Sequence, residues 1–92
     1  MKTGIELIAE EREEQIKKHK WTLQHDRQEH YDGELIRAAC AIAYVSPNNM
    51  PAKIAAPDWA WEIRERIEGD RIHCLKVAGA LIAAEIDRIL SQ

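Results

Sequence analysis

The sequence predicts an all-α domain: a small bundle of three to four helices, interrupted by a long proline-containing loop. Three observations carry this. Helix-capping residues precede segments whose apolar side chains recur every three to four positions. No stretch shows the apolar–polar alternation of a strand. All three prolines fall in one segment, "SPNNMPAKIAAPD", residues 46–58, which therefore reads as a loop rather than as breaks scattered through the elements. With 92 residues the chain reads as one domain, 1–92, and an apolar content of 46% supplies one modest core.

The elements follow in order. Thr3-Gly4-Ile5-Glu6 has the T-x-x-E spacing of a capping box and opens a helix expected to run to about His19. Ile5, Ile8, Ala9 and Ile16 give that helix a thin apolar stripe. The rest reads as a solvated face, acidic at "EEREE" and basic behind, with Glu13–Lys17 and Glu14–Lys18 as i,i+4 pairs. Residues 20–31 have no clean period. Asp32 is placed to cap a second helix with Gly33 and Glu34 in its first turn. "LIRAACAIAYV" is apolar nearly all round and so reads as the buried, central element. Asp58 can cap a short third helix, "WAWEIRERIE", stopped by Gly69, and Asp70 caps the last, about Arg71 to Leu90. There Ile72, Leu75, Gly79, Ile82, Ile86 and Ile89 form a heptad-type stripe expected to face the core, and Ala78, Gly79 and Ala83 are small enough for close helix approach.

Several function classes are disfavoured at once. A formal net charge of −3 argues against a general or sequence-specific nucleic-acid binder. The longest apolar run, Val77 to Ala84, is too short to span a bilayer, and no signal-type stretch opens the chain. Cys40 and Cys74, 34 positions apart, make neither a disulfide framework nor a zinc motif and read as small buried side chains of a cytosolic protein. No Ser/His/Asp order, glycine-rich phosphate loop or reactive-cysteine setting is present, so nucleophilic catalysis has no support.

Three constellations remain. In "QHDRQEHYDGEL", residues 24–35, His25, Asp26, Glu29, His30 and Asp32 are all ligand types. The histidines are five apart rather than the four of a helical metal site, so a polar connector ending in a cap is the plainer reading and no metal or cofactor is expected. The second is Glu11-x-x-Glu14 with Glu29-x-x-Asp32, fourteen residues between them. It is similar to the paired carboxylates with which all-α nucleoside triphosphate pyrophosphohydrolases hold Mg²⁺. Against it, Asp32 has the position of a helix cap, and a chain that is 32% charged produces such spacings by chance. The third is aromatic and basic. Lys17, Lys18, Lys20, Trp21 and Arg27 gather near one helix end, and Trp59 and Trp61 sit beside Arg64 and Arg66. Tryptophan and arginine are enriched in interface hot spots and can meet nucleobases and phosphates. The plainer alternative has the tryptophans covering the bundle ends and the lysines complementing a helix C-terminus.

"GIELIAEEREEQIKKHKWT", "DGELIRAA" and "LKVAGALIAAEIDRIL" resemble small helical proteins of phages and prophages, and within them the type I-F class of phage anti-CRISPR proteins. The resemblance spans most of the chain except 46–68. It implies a non-enzymatic, stoichiometric inhibitor in the cytoplasm of the infected bacterial host. Its partners would be the Cas proteins of the type I-F RNA-guided Csy surveillance complex, which it keeps from target DNA. The class has no shared binding motif, so no site residue carries over. The acidic face would occupy a Lys/Arg-lined surface that otherwise holds nucleic acid, and "KKHKW" would meet the guide RNA backbone. The alternative is the magnesium-dependent all-α nucleoside triphosphate pyrophosphohydrolase.

Overall fold

A computed structural model describes residues 1–19, 33–44 and 55–91, apart from the side chains of residues 18 and 19. Among the described residues it holds four helices and no strand: α1 (Gly4–His19), α2 (Glu34–Ala43), α3 (Asp58–Ile67) and α4 (Arg71–Leu90). The capping box forms as expected. Thr3 N–H donates to Glu6 Oε1 at 2.9 Å, and Glu6 N–H donates to Thr3 Oγ1 at 3.3 Å. Hydrogen bonding of the Glu6 carboxylate to Thr3, by its backbone N–H first and then by its side chain, holds that carboxyl below the usual glutamate range. Asp70 caps α4 through His73 N–H at 3.1 Å.

The N-caps of the two middle helices are backbone devices. Helix α2 begins at Glu34, and its N-cap is Gly33, held at φ 74° with no side-chain cap bond. A left-handed backbone suits glycine because a Cβ is crowded there. Asp32, the expected cap, lies outside the described residues. Helix α3 begins at Asp58 itself, with Pro57 as N-cap. The proline is extended and lacks only a donor that the helix start would not use, while the Asp58 carboxylate sits in the first turn, where the dipole favours it.

Helix α4, rather than α2, is the hub. It touches the other three helices: α2 and α1 pack along it, and α3 packs mainly on α2. The core is small and rich in alanine. Leu35, Ala38, Ala39 and Ile42 of α2 meet Cys74, Val77, Ala78, Leu81 and Ala84 of α4, with Ala60 of α3, and Trp59, Ile63 and Ile67 packed against them. Alanine lets helix axes come close, so a thin core can still be dense. Cys74 is buried and its thiol points at Ile67 O, whereas Cys40 is exposed, contrary to expectation.

The larger correction concerns α4. The face it turns into the core is Cys74, Val77, Ala78, Leu81 and Ala84, joined by the buried ion pair Glu85–Arg88. The heptad stripe points elsewhere: Ile72, Leu75, Ile82, Ile86 and Ile89 are 43–59% exposed. Helix α4 is apolar on two faces, and the face of small residues won the core because α2 is itself lined with alanine. Gly79 explains part of the choice: a Cβ there would lie 2.6 and 2.8 Å from Ile8 Cδ1 and Cγ1, so the missing side chain admits Ile8 of α1. The close approach expected at Gly79 is thus made by a side chain.

Helix α1 also turns differently from expectation. Ile5 is 83% exposed and Ile16 is exposed, while Glu11, Arg12 and Gln15 are buried against α4. The "EEREE" run is therefore only partly a solvated face. Long polar side chains can pack their aliphatic stems while their heads find partners, as Arg12 does with Asp87 at 3.7 Å. No helix among the described residues is long and apolar enough to cross a membrane.

Candidate functional site: a carboxylate-lined groove between α1 and α3

Helices α1 and α3 do not pack on each other; each leans on another helix, and the gap between them is a groove of about 350 Å³. One wall is the Glu11, Glu14 and Gln15 face of α1. The other is Trp59, Glu62, Ile63, Arg66 and Ile67 of α3, and His73 and Val77 of α4 close it. Each wall is one helical face: 11, 14 and 15 fall within one turn, and 59, 62, 63, 66 and 67 follow the i, i+3, i+4, i+7, i+8 rule. The volume falls in the range of small-molecule sites, and the lining combines apolar surface with a few polar groups, as such sites do.

The groove is acidic, with three glutamates to one arginine. Glu11 is buried, and Gln15 is only 2% exposed with its Oε1 accepting no hydrogen bond from any described residue. A buried amide oxygen without a donor is costly in water-free surroundings, by about 1–3 kcal/mol. It is therefore a point where a ligand or water can bind with gain.

Two carboxylates one turn apart suit Mg²⁺, which keeps several waters and takes one or two protein carboxylates plus substrate phosphates. Among the described residues no three His, Cys, Asp or Glu side chains converge as a full metal cage. Glu29 and Asp32, the second pair of the spacing motif, lie outside the described residues, as do His25, Asp26 and His30.

The basic and aromatic candidates divide. Trp59 and Arg66 line the groove, Trp61 is half-buried and Lys17 is exposed. Lys20, Trp21 and Arg27, with the Lys18 side chain, lie outside the described residues. Arg64 is corrected: it is buried, and its Nη1 donates to Ala41 O, to Tyr44 O at 2.9 Å and to Ile42 O at 3.4 Å. Arg71 adds a bond to Ala43 O. Together they satisfy the orphan carbonyls at the α2 C-terminus, where positive charge is favoured. Arg64 thus belongs to the fold and presents nothing to a partner.

Reading the sequence missed Glu62, His73 and Gln15. The signal for Glu62 was present, because it shares the i, i+3, i+4 face of Trp59 and Arg66. Nothing in the sequence places His73 beside α1. Comparison of the chain with protein-family models, with curated proteins and with solved structures finds no match.

Proposed function

We propose that this protein is a magnesium-dependent hydrolase of nucleoside triphosphates, acting in the groove between α1 and α3. The observation that carries the reading is the pairing of walls: Glu11 and Glu14 line one side, and Trp59 and Arg66 line the other. Magnesium held by Glu11 and Glu14 would neutralise a triphosphate and supply a water of lowered pKa. Arg66 offers a planar fork for phosphate oxygens, and the Trp59 indole offers a face for a nucleobase.

The test is release of pyrophosphate or phosphate from mixed deoxynucleoside and ribonucleoside triphosphates with Mg²⁺. Glu11→Gln and Glu14→Gln should each lower turnover by about a hundredfold or more while the protein stays folded. No release by the wild type from any of the eight common triphosphates would sink the reading.

A second reading is inhibition of the type I-F surveillance complex in the host cytoplasm, without catalysis. It rests on the resemblance and on the charges α1 keeps exposed, among them Glu6, Glu13 and Lys17. The burial of Glu11 and Arg12 removes part of the acidic face it relied on. DNA-binding competition with the purified complex separates the two readings: a wild-type protein that leaves DNA binding unchanged ends this one.

A further inference from the structure

We infer that the exposed face of α4 is the interface of a homodimer, in which two copies of α4 pair antiparallel across a two-fold axis. The face is Ile72, Leu75, Ile82, Ile86 and Ile89, each 43–59% exposed, with Leu90 at 77% beyond them. Positions 72, 75, 79, 82, 86 and 89 are spaced 3-4-3-4-3, the a/d pattern of a helix–helix seam. The same helix packs its own core with a different face, through Cys74, Val77, Ala78, Leu81 and Ala84. Apart from Gly79, which Ile8 of α1 covers, the seam is left outside the monomer's core.

Its register admits a second copy of the same helix. The six positions are symmetric about the midpoint between Ala80 and Leu81. An antiparallel two-fold then sets Ile72 opposite Ile89, Leu75 opposite Ile86, and Ile82 opposite Gly79. Gly79, the one small position, is topped by Ile8 of α1, so each row stays filled. An isologous interface requires this kind of self-complementarity, in which one patch is both surfaces. Any run of six a/d positions has this symmetry, so the register permits an antiparallel pair of copies without singling it out. Antiparallel pairing also opposes the two helix dipoles.

The area agrees. The seam is about 26 Å long. Five half-exposed aliphatic side chains with Leu90 amount to roughly 500 Å² on each copy, the upper range of what a monomer leaves bare. Two such faces reach about 1,000 Å², the threshold of a specific interface. The thin alanine core gives the monomer little stability of its own, the situation in which small domains gain from assembly.

Sedimentation velocity across about a hundredfold range of concentration tests the dimer. The wild type should sediment as a dimer at the upper end. The Ile82→Glu/Ile86→Glu variant should be monomeric with unchanged helicity by circular dichroism. Cross-linking with a short bismaleimide tests the geometry in a Cys40→Ser background, since Cys74 is buried. Ile82→Cys, near the axis, should link the two copies. Ile72→Cys should not, because the two residues would stand about 26 Å apart. A wild type that is monomeric throughout, whose face then belongs to a different partner, overturns the inference. So does a well-folded glutamate variant that still dimerises, or an Ile72→Cys variant that links as readily as Ile82→Cys.

Discussion

Glu6 and Thr3 show how far two side chains can start a helix. Their reciprocal bonds satisfy two donors that the helix leaves open, and the ionised carboxylate is the better acceptor. The folded pKa of Glu6 is depressed, so its contribution is present above the ordinary glutamate pKa and lost as pH falls through the folded value. Acidification should therefore lower amide protection factors, taken against the intrinsic exchange rate at each pH, at the start of α1 before it affects α4. Glu6→Gln should abolish that pH dependence, because an amide has no proton to gain. Exchange followed by NMR from neutral pH to about pH 3 checks this; equal pH response in both proteins would contradict it. A second residue, Gly79, couples α1 to α4. Alanine is preferred to glycine in a helix by about 1 kcal/mol, but here its Cβ meets Ile8. Gly79→Ala should be neutral or destabilising in the wild type and stabilising by up to about 1 kcal/mol in an Ile8→Ala background. Urea denaturation of the four proteins gives the coupling directly, and additive effects would show that Ile8 is not the obstacle.

At the scale of elements, α2 is held by its ends as much as by its core. Its C-terminal carbonyls are met by Arg64 from α3 and Arg71 from α4, so three helices are tied at one point. Arg64 is buried, whereas Arg71 is exposed. Truncating Arg64 leaves carbonyls without donors in a site that water reaches poorly. Arg64→Met should cost about 2–3 kcal/mol, and Arg71→Met less than about 1 kcal/mol. Equal costs from chemical denaturation would mean that the burial of Arg64 does not decide its worth. The same comparison bears on function. Arg66, two residues on, faces the groove, so Arg66→Met should leave stability nearly unchanged while weakening any phosphate-dependent activity.

At the scale of the whole molecule, the adjacent residues Leu81 and Ile82 divide the two faces of α4. Leu81 is fully buried among α2 and α4 side chains, and Ile82 is nearly half exposed. Leu81→Ala should cost about 2–5 kcal/mol, a large share of the stability of so small a core. In dilute solution, where the chain is monomeric, Ile82→Ala should cost under about 0.5 kcal/mol. Denaturation midpoints at low protein concentration test the pair, and a larger loss at Ile82 would restore the heptad stripe to the core. The groove belongs to this scale too. It exists because α1 and α3 both lean on other helices and leave a gap between them, an outcome of no single element.

Local chemistry determined the helices. The Thr3–Glu6 box, the Asp70 cap and the stop at Gly69 were legible because each depends on residues within one turn, and α1 and α4 have the predicted bounds. The E-x-x-E pair was legible as well, since i and i+3 share a face in any helix. What only the tertiary structure decided is which face of each helix is spent. Helix α4 offers both a row of small residues and a row of isoleucines, and periodicity ranks the isoleucines first. The partner decided otherwise: an alanine-lined α2 packs closest on Val77, Ala78, Leu81 and Ala84, because helix separation is set by the side chains of both surfaces. Likewise, nothing local distinguishes Glu11 from Glu13. Docking on α4 buries the first beside Gln15 and leaves the second in water, because only one side of α1 can meet another helix.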